Sequence, residues 1–184
     1  MRIISGTARG TKLFAPKNQE TRPTTDKVKE SVFNMIQPIT NKSCVLDLFA
    51  GTGSIGLEFI SRGASEAYFV ENNRNAYVLI KKNIEKCRFT NHAHILNMEY
   101  DQALKVFNRS NTQFHYIYID PPYHDYEVDD ILDKIFEYRL LYKGGKVIVE
   151  MDLDQTSQFS RVEANLVKNK NYGRVKIMIV QRDE

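Results

Sequence analysis

Four consecutive residues in this 184-residue chain, Asp120-Pro121-Pro122-Tyr123, combine groups that could act on a ring-bound amine. Two adjacent prolines fix φ at both positions and remove two backbone donors, which leaves the local carbonyls as acceptors. Asp120 adds an acceptor-only carboxylate and Tyr123 an aromatic face. An exocyclic NH₂ presents two donors, and its nitrogen lone pair is delocalised into the ring. If Asp120 and the Pro121 carbonyl accept those hydrogens, negative charge gathers around the nitrogen and stabilises the cation that forms as it is alkylated. Tyr123 could stack on the ring and aim the nitrogen. A base in such a pocket must be unpaired or flipped out. A Pro-Pro turn that only closes a strand, with Asp120 as a cap, is the plainer alternative. The glycine loop upstream argues against it.

That loop is Gly51-x-Gly53-x-x-Gly56, set between an expected strand and an expected helix. Gly51 and Gly53 allow a sharp turn and let a ligand approach the backbone, while Gly56 permits close helix–strand packing. The motif alone does not separate a dinucleotide from S-adenosyl-L-methionine. Asp47 separates them better, because its carboxylate would repel a pyrophosphate and attract the ammonium of a methionine moiety. Glu71 follows at the end of the second strand, where a carboxylate can accept hydrogen bonds from both ribose hydroxyls. Phe49 and Asn72 flank these positions. Glu99 and Tyr100, past the third strand, are positional candidates for the adenine.

These residues need a scaffold, and the chain shows one. Residues 2–5 and 11–14 read as a short hairpin around a turn-rich segment, and residues 16–23 as a loop. Thr25 or Asp26 caps a helix with Val28, Val32, Phe33 and Ile36 on one face. Strands at 45–49, 67–71, 93–97, 116–119 and 146–150 then alternate with helices at 55–62, 74–87, 101–107 and about 128–138. The last strand is expected to follow a Gly144-Gly145 turn. Two β-rich segments near 161–167 and 174–180 close the chain. Short apolar strands alternating with helices imply βαβ units. The expected fold is a doubly wound, Rossmann-like α/β sheet of about seven strands, mainly parallel with an antiparallel last strand, preceded by a small N-terminal hairpin and helix.

Composition narrows the class. The chain is long enough for one ordinary domain, and no apolar run approaches the roughly 20 residues a bilayer-spanning helix needs. Cys44 and Cys87 make no disulfide framework, which suggests a reducing cytoplasm. His92, His94, His115 and His124 lack metal spacing. Charge is uneven: residues 1–42 carry eight Lys/Arg against three Asp/Glu, whereas residues 43–142 carry ten against fourteen. A basic N-terminal arm on an acidic body suits a polyanionic partner, although a solvated surface would look the same. Arg2, Arg9, Lys12, Arg22, Lys27 and Lys29 are the candidate phosphate contacts.

With both motifs in hand, the chain resembles class I methyltransferases with an Asp/Asn-Pro-Pro-Tyr/Phe site, and more closely the bacterial 16S rRNA guanine-N2 methyltransferase family. The resemblance spans nearly the whole length. Beyond the two motifs it rests on Arg2-Ile3-Ile4-Ser5-Gly6, Arg22-Pro23-Thr24-Thr25, Lys29 to Asn34, Ser61-Arg62-Gly63 and Tyr172-Gly173. It implies methyl transfer from S-adenosyl-L-methionine to the N2 amine of a guanine in small-subunit rRNA. Separately, a monomer without a metal is expected. It assigns Asp120, Pro121, Pro122 and Tyr123 to the target amine. Asp47, Gly51, Gly53 and Glu71 go to the cofactor, and Arg22, Pro23 and Thr24 to the rim of the RNA site. Residues 1–42 become the RNA-contacting extension and residues 43–184 the catalytic domain. Glu99-Tyr100 departs from the family's usual Asp-Ala at the third acidic position. An adenine-N6 methyltransferase acting on DNA or RNA would use the same four residues, but 184 residues leave little room for a target-recognition region. A dehydrogenase would need a second substrate domain. A non-catalytic RNA-binding protein of this fold should have lost Asp120 or the glycine loop.

Overall fold

The computed structural model describes residues 1–16, 26–122 and 127–183. Seven strands form one sheet: β1 (Cys44–Asp47), β2 (Glu66–Val70), β3 (Ala93–Leu96), β4 (Phe114–Ile119), β5 (Leu141–Asp152), β6 (Ala164–Tyr172) and β7 (Val175–Arg182). Their spatial order is β3-β2-β1-β4-β5-β7-β6. The pairs β1–β2, β1–β4, β2–β3 and β4–β5 are parallel, and β7 pairs antiparallel with both β5 and β6. The expected doubly wound sheet is therefore present, with its antiparallel strands at one side.

Among the described residues, five α-helices cover the sheet: α1 (Asp26–Ile36), α2 (Ser54–Ser61), α3 (Arg74–Cys87), α4 (Tyr100–Arg109) and α5 (Val128–Glu137). Side chains alternate across the strands and so divide the core in two. Val45, Ala67 and Phe69 face a cluster that holds Phe33, Phe59 and Ile80 of α1, α2 and α3. Leu46, Ile117 and Val149 face the opposite cluster with Leu104 and Phe107 of α4 and Ile131 of α5. Helix α3 starts where the sequence suggests, because the Asn73 side chain accepts from the N–H groups of Asn75 and Ala76 at 2.8 and 3.2 Å. Among the described residues, no helix is long and apolar enough to cross a membrane.

The basic N-terminal segment is welded to this body. Ile3, Leu13, Val28, Val32, Phe33 and Ile36 belong to the same apolar cluster as Val45 and Phe59. The expected hairpin is minimal, with a single antiparallel bridge between Arg2 and Lys12 supported by Ile3 N–H to the Thr11 carbonyl at 3.0 Å.

Two local readings change. Strand β5 begins at Leu141, so Gly144 and Gly145 lie inside it, where its register against β4 slips between Phe114 and Tyr116. A Cβ at Gly145 would sit 2.8 Å from the Tyr142 carbonyl oxygen, so glycine serves an irregular strand there rather than a turn before one. Lys29, expected on an exposed phosphate-binding face, is instead 1% exposed.

Gly56 has the packing role its spacing implies. A Cβ there would lie 2.3 Å from Cε1 of Phe69, at the contact of α2 with β2. Gly56→Ala is expected to cost about 1–3 kcal/mol through overpacking. Urea denaturation checks this, and an unchanged midpoint would show that α2 can move away freely.

Candidate active site

The strand order reverses between β1 and β4, and an open α/β sheet leaves a crevice at the carboxyl ends of such strands. Asp47 ends β1 and Asp120 follows β4, so the two sequence motifs meet at that crevice. A cleft of about 1760 Å³ occupies it. Single-ligand pockets run to about 300–1,000 Å³, so this one has room for more than one small group. Asp47, Phe49, Gly51, Glu71, Asn72, Glu99, Tyr100, Asp120, Pro121 and Pro122 all line it. Gly53 shapes the loop from behind, with φ of +77° and its ideal Cβ position 3.3 Å from Ile80.

Gly51 has φ of +55° and faces open space where a side chain would project, which leaves backbone accessible to a ligand. Glu71 braces this turn: one carboxylate oxygen accepts from Gly51 N–H and the other from Asn73 N–H, both at 2.8 Å. Burial pushes the Glu71 carboxyl up from its ordinary range, and these backbone donors pull it back. Asn72 Nδ2 donates to Glu99 Oε1 at 3.0 Å, and the Phe49 and Tyr100 rings lie 5.5 Å apart. The positional candidates Glu99 and Tyr100 thus share the cleft wall with Asn72 and Phe49.

Asp47 is 2% exposed, and its Oδ2 accepts from Gly56 N–H at 2.9 Å. Burial raises its pKa to about 7, against the Gly56 bond and with help from the Glu71 charge. Asp120 is partly exposed, with Pro121 buried beside it and Pro122 exposed. Desolvation drives the Asp120 carboxyl well above its ordinary value, and the charges of Glu150, Asp47 and Asp152 push the same way.

Sequence reasoning missed what stands behind this acid. Tyr118 lies wholly buried in β4, lines the cleft, and donates its hydroxyl to Glu150 Oε2 on β5 at 2.6 Å. The signal was a phenol and an acid inside the apolar runs 117–119 and 147–151, which must find partners when buried.

The basic candidates divide. Arg2, Arg9 and Lys12 are exposed on the N-terminal arm, with Arg2 held by Asp26 at 2.9 Å. Lys29 is removed from that group: its ammonium meets Glu58 Oε2 at 3.2 Å, the Arg2 carbonyl at 2.6 Å and Ser54 Oγ at 3.1 Å. It pins the arm to α2 from inside. Arg22, Pro23, Thr24 and Tyr123 lie outside the described residues.

A family model described as conserved hypothetical protein 95 matches residues 1–181. YlbH of Bacillus subtilis (strain 168), named as a candidate rRNA methyltransferase, is 35% identical over 99% of both chains. The protein named ribosomal RNA small subunit methyltransferase D of Escherichia coli (strain K12) is 29% identical over 100% of this chain and 90% of its own length. Among solved structures, YhhF of Escherichia coli, titled as a candidate methyltransferase, superposes with a TM-score of 0.86 at 27% identity. That match covers 100% of this chain and 98% of the other.

Proposed function

The chain belongs to the conserved hypothetical protein 95 family, and from that premise we propose that it transfers a methyl group from S-adenosyl-L-methionine to the N2 amine of a guanine in small-subunit rRNA. The observation that carries this reading is one cleft holding both an acceptor pair, Asp120 with the Pro121 carbonyl, and a glycine turn flanked by Asp47 and Glu71. Relatives named for rRNA methylation support it at the level of the substrate class.

The residues present fit the cofactor. Gly51 leaves an open cradle at the backbone, Asp47 offers negative charge to an ammonium, and Glu71 stands where ribose hydroxyls can donate to it. When bound, S-adenosyl-L-methionine supplies an electrophilic methyl group on a sulfonium. Asp120 and the Pro121 carbonyl accept the two amine hydrogens and hold the nitrogen in line, so charge that develops there meets preorganised acceptors. The exposed Arg2, Arg9 and Lys12 contact phosphates, which makes residues 1–42 the RNA-facing extension of a catalytic body at 43–184.

Asp47 gives this reading a pH signature. Its folded pKa of about 7 lies above the ordinary 3.8, so it gains charge as pH rises through 7. A cationic cofactor favours the ionised form, so affinity should rise by up to about tenfold per unit below pH 7 and level off above it. Titration calorimetry from pH 5.5 to 7.5 checks this, with Asp47→Asn expected to flatten the profile. A wild-type profile as flat as the variant's would remove Asp47 from the cofactor site.

The reading as a whole is tested by incubating the protein with methyl-labelled cofactor and, separately, small-subunit rRNA, large-subunit rRNA and duplex DNA. Label should enter small-subunit rRNA, free or in assembled subunits. Label confined to duplex DNA would favour the adenine-N6 activity instead.

A further inference from the structure

One wall of the cleft is used by neither the cofactor nor the acceptor pair. Between the N-terminal arm and α3, the cleft extends along Phe14 on one side and Val78, Lys82 and Lys86 on the other. Residues 78, 82 and 86 recur at helical spacing, so α3 presents them as one stripe. Phe14 is an aromatic residue left 45% exposed, and Val78 is 42% exposed. Lys86 Nζ lies 4.3 Å from the centre of the Phe14 ring. Among the described residues, Glu85 is the one acid on this wall, against the two cations Lys82 and Lys86.

What lifts this above an ordinary surface is how Phe14 is held. Asn83, a wholly buried side chain on α3, accepts from Phe14 N–H at 2.7 Å and donates back to the Phe14 carbonyl at 3.0 Å. The same amide nitrogen donates to the Thr52 carbonyl, inside the glycine turn, at 2.9 Å. An exposed ring is thus fixed in register with the turn that positions the methyl donor. A fixed aromatic face beside lysines is how proteins hold an unpaired nucleic-acid strand, since any base can stack and every phosphate is an anion.

Building on the methyltransferase reading, we propose that this groove binds the single-stranded RNA next to the target nucleotide, with Phe14 stacking on a neighbouring base and Lys82 and Lys86 meeting its phosphates. Asn83 is the positioning residue that sets the distance between this platform and the cofactor.

Binding of a fluorescent single-stranded RNA is measured across a series of KCl concentrations for wild type, Phe14→Ala, Phe14→Tyr and a Lys82→Glu/Lys86→Glu double variant. Phe14→Ala should weaken binding about tenfold, while Phe14→Tyr stays within about threefold because a stacking face remains. The double variant should lower the slope of log affinity against log salt by about 1.4, at about 0.7 per lost single-strand phosphate contact. Cofactor affinity of all three variants should match wild type, which also shows that they are folded. Wild-type RNA affinity and salt slope in the double variant and in Phe14→Ala would overturn the proposal, as would a loss confined to cofactor binding. Failure of the wild type to methylate any RNA would instead strike the underlying reading.

Discussion

Replacing Asp120 with alanine is expected to lower kcat for methyl transfer by about 10²–10³-fold while cofactor affinity stays within about threefold. The magnitude is that of deleting one preorganised group that meets transition-state charge. The asymmetry follows from position, because Asp120 follows β4 whereas the cradle is built from the ends of β1 and β2. Its surroundings sharpen the test. Burial and the neighbouring charges of Glu150, Asp47 and Asp152 all favour the protonated carboxyl, and a protonated acid is a poorer acceptor. Activity should therefore rise with pH as Asp120 ionises. Asp120→Asn, which keeps an acceptor oxygen but cannot titrate, should lose that rise while retaining more rate than alanine. Single-turnover kinetics of both variants across pH make the comparison, and near-normal turnover by the alanine variant would refute the role.

The second large effect concerns stability. Glu58 on α2 is fully buried and gathers four donors: Ile4 N–H at 2.8 Å, Ser5 N–H at 2.9 Å, Lys29 Nζ at 3.2 Å and Arg62 Nε at 2.8 Å. Removing one member of a buried ion pair leaves the other charge uncompensated, which costs about 3–5 kcal/mol. Glu58→Ala should lose that much in urea unfolding and lower Tm by roughly 6–20 °C for a chain of this size. The double variant Glu58→Leu/Lys29→Met should recover part of the loss, since no unpaired ammonium remains. Recovery should stay incomplete, because Arg62 and two backbone N–H groups still lack their acceptor. A Glu58→Ala loss below about 1 kcal/mol would mean that water or another acceptor enters the site. Two of these bonds, from Ile4 and Ser5 N–H, hold the N-terminal arm directly against α2, so the arm should become protease-sensitive first.

How far the molecule could be read in advance depends on which residues one asks about. The sheet was legible because short apolar strands alternating with helices admit few packings, and Asp47, Glu71 and Asp120 fell into the cleft because strand ends in such a sheet converge there. Lys29 was misread by its charge alone. Its neighbours at 28, 32, 33 and 36 form the buried stripe of α1, and position 29 lies on that stripe. A lysine there needs an acid from another helix, and Glu58 sits in α2, where every residue is buried. Reading the two together required the tertiary contact. Gly144 and Gly145 resembled a turn because glycine pairs usually mark one, and the β5 irregularity that accommodates them is visible only in register. Tyr118 and Glu150 were hidden for a related reason: strand pairing, not sequence distance, brings them to 2.6 Å.

In the proposed reaction, Asp120 and the diproline grip a guanine amine beside the cofactor. Its most direct test is the identity of the product. Small subunits lacking the modification are incubated with the protein and labelled S-adenosyl-L-methionine, and the rRNA is digested to nucleosides and resolved by mass spectrometry. The expected product is N2-methylguanosine, formed by the wild type and nearly absent with Asp120→Ala. Label in N6-methyladenosine, on a ring carbon, or undiminished in the alanine variant would contradict it.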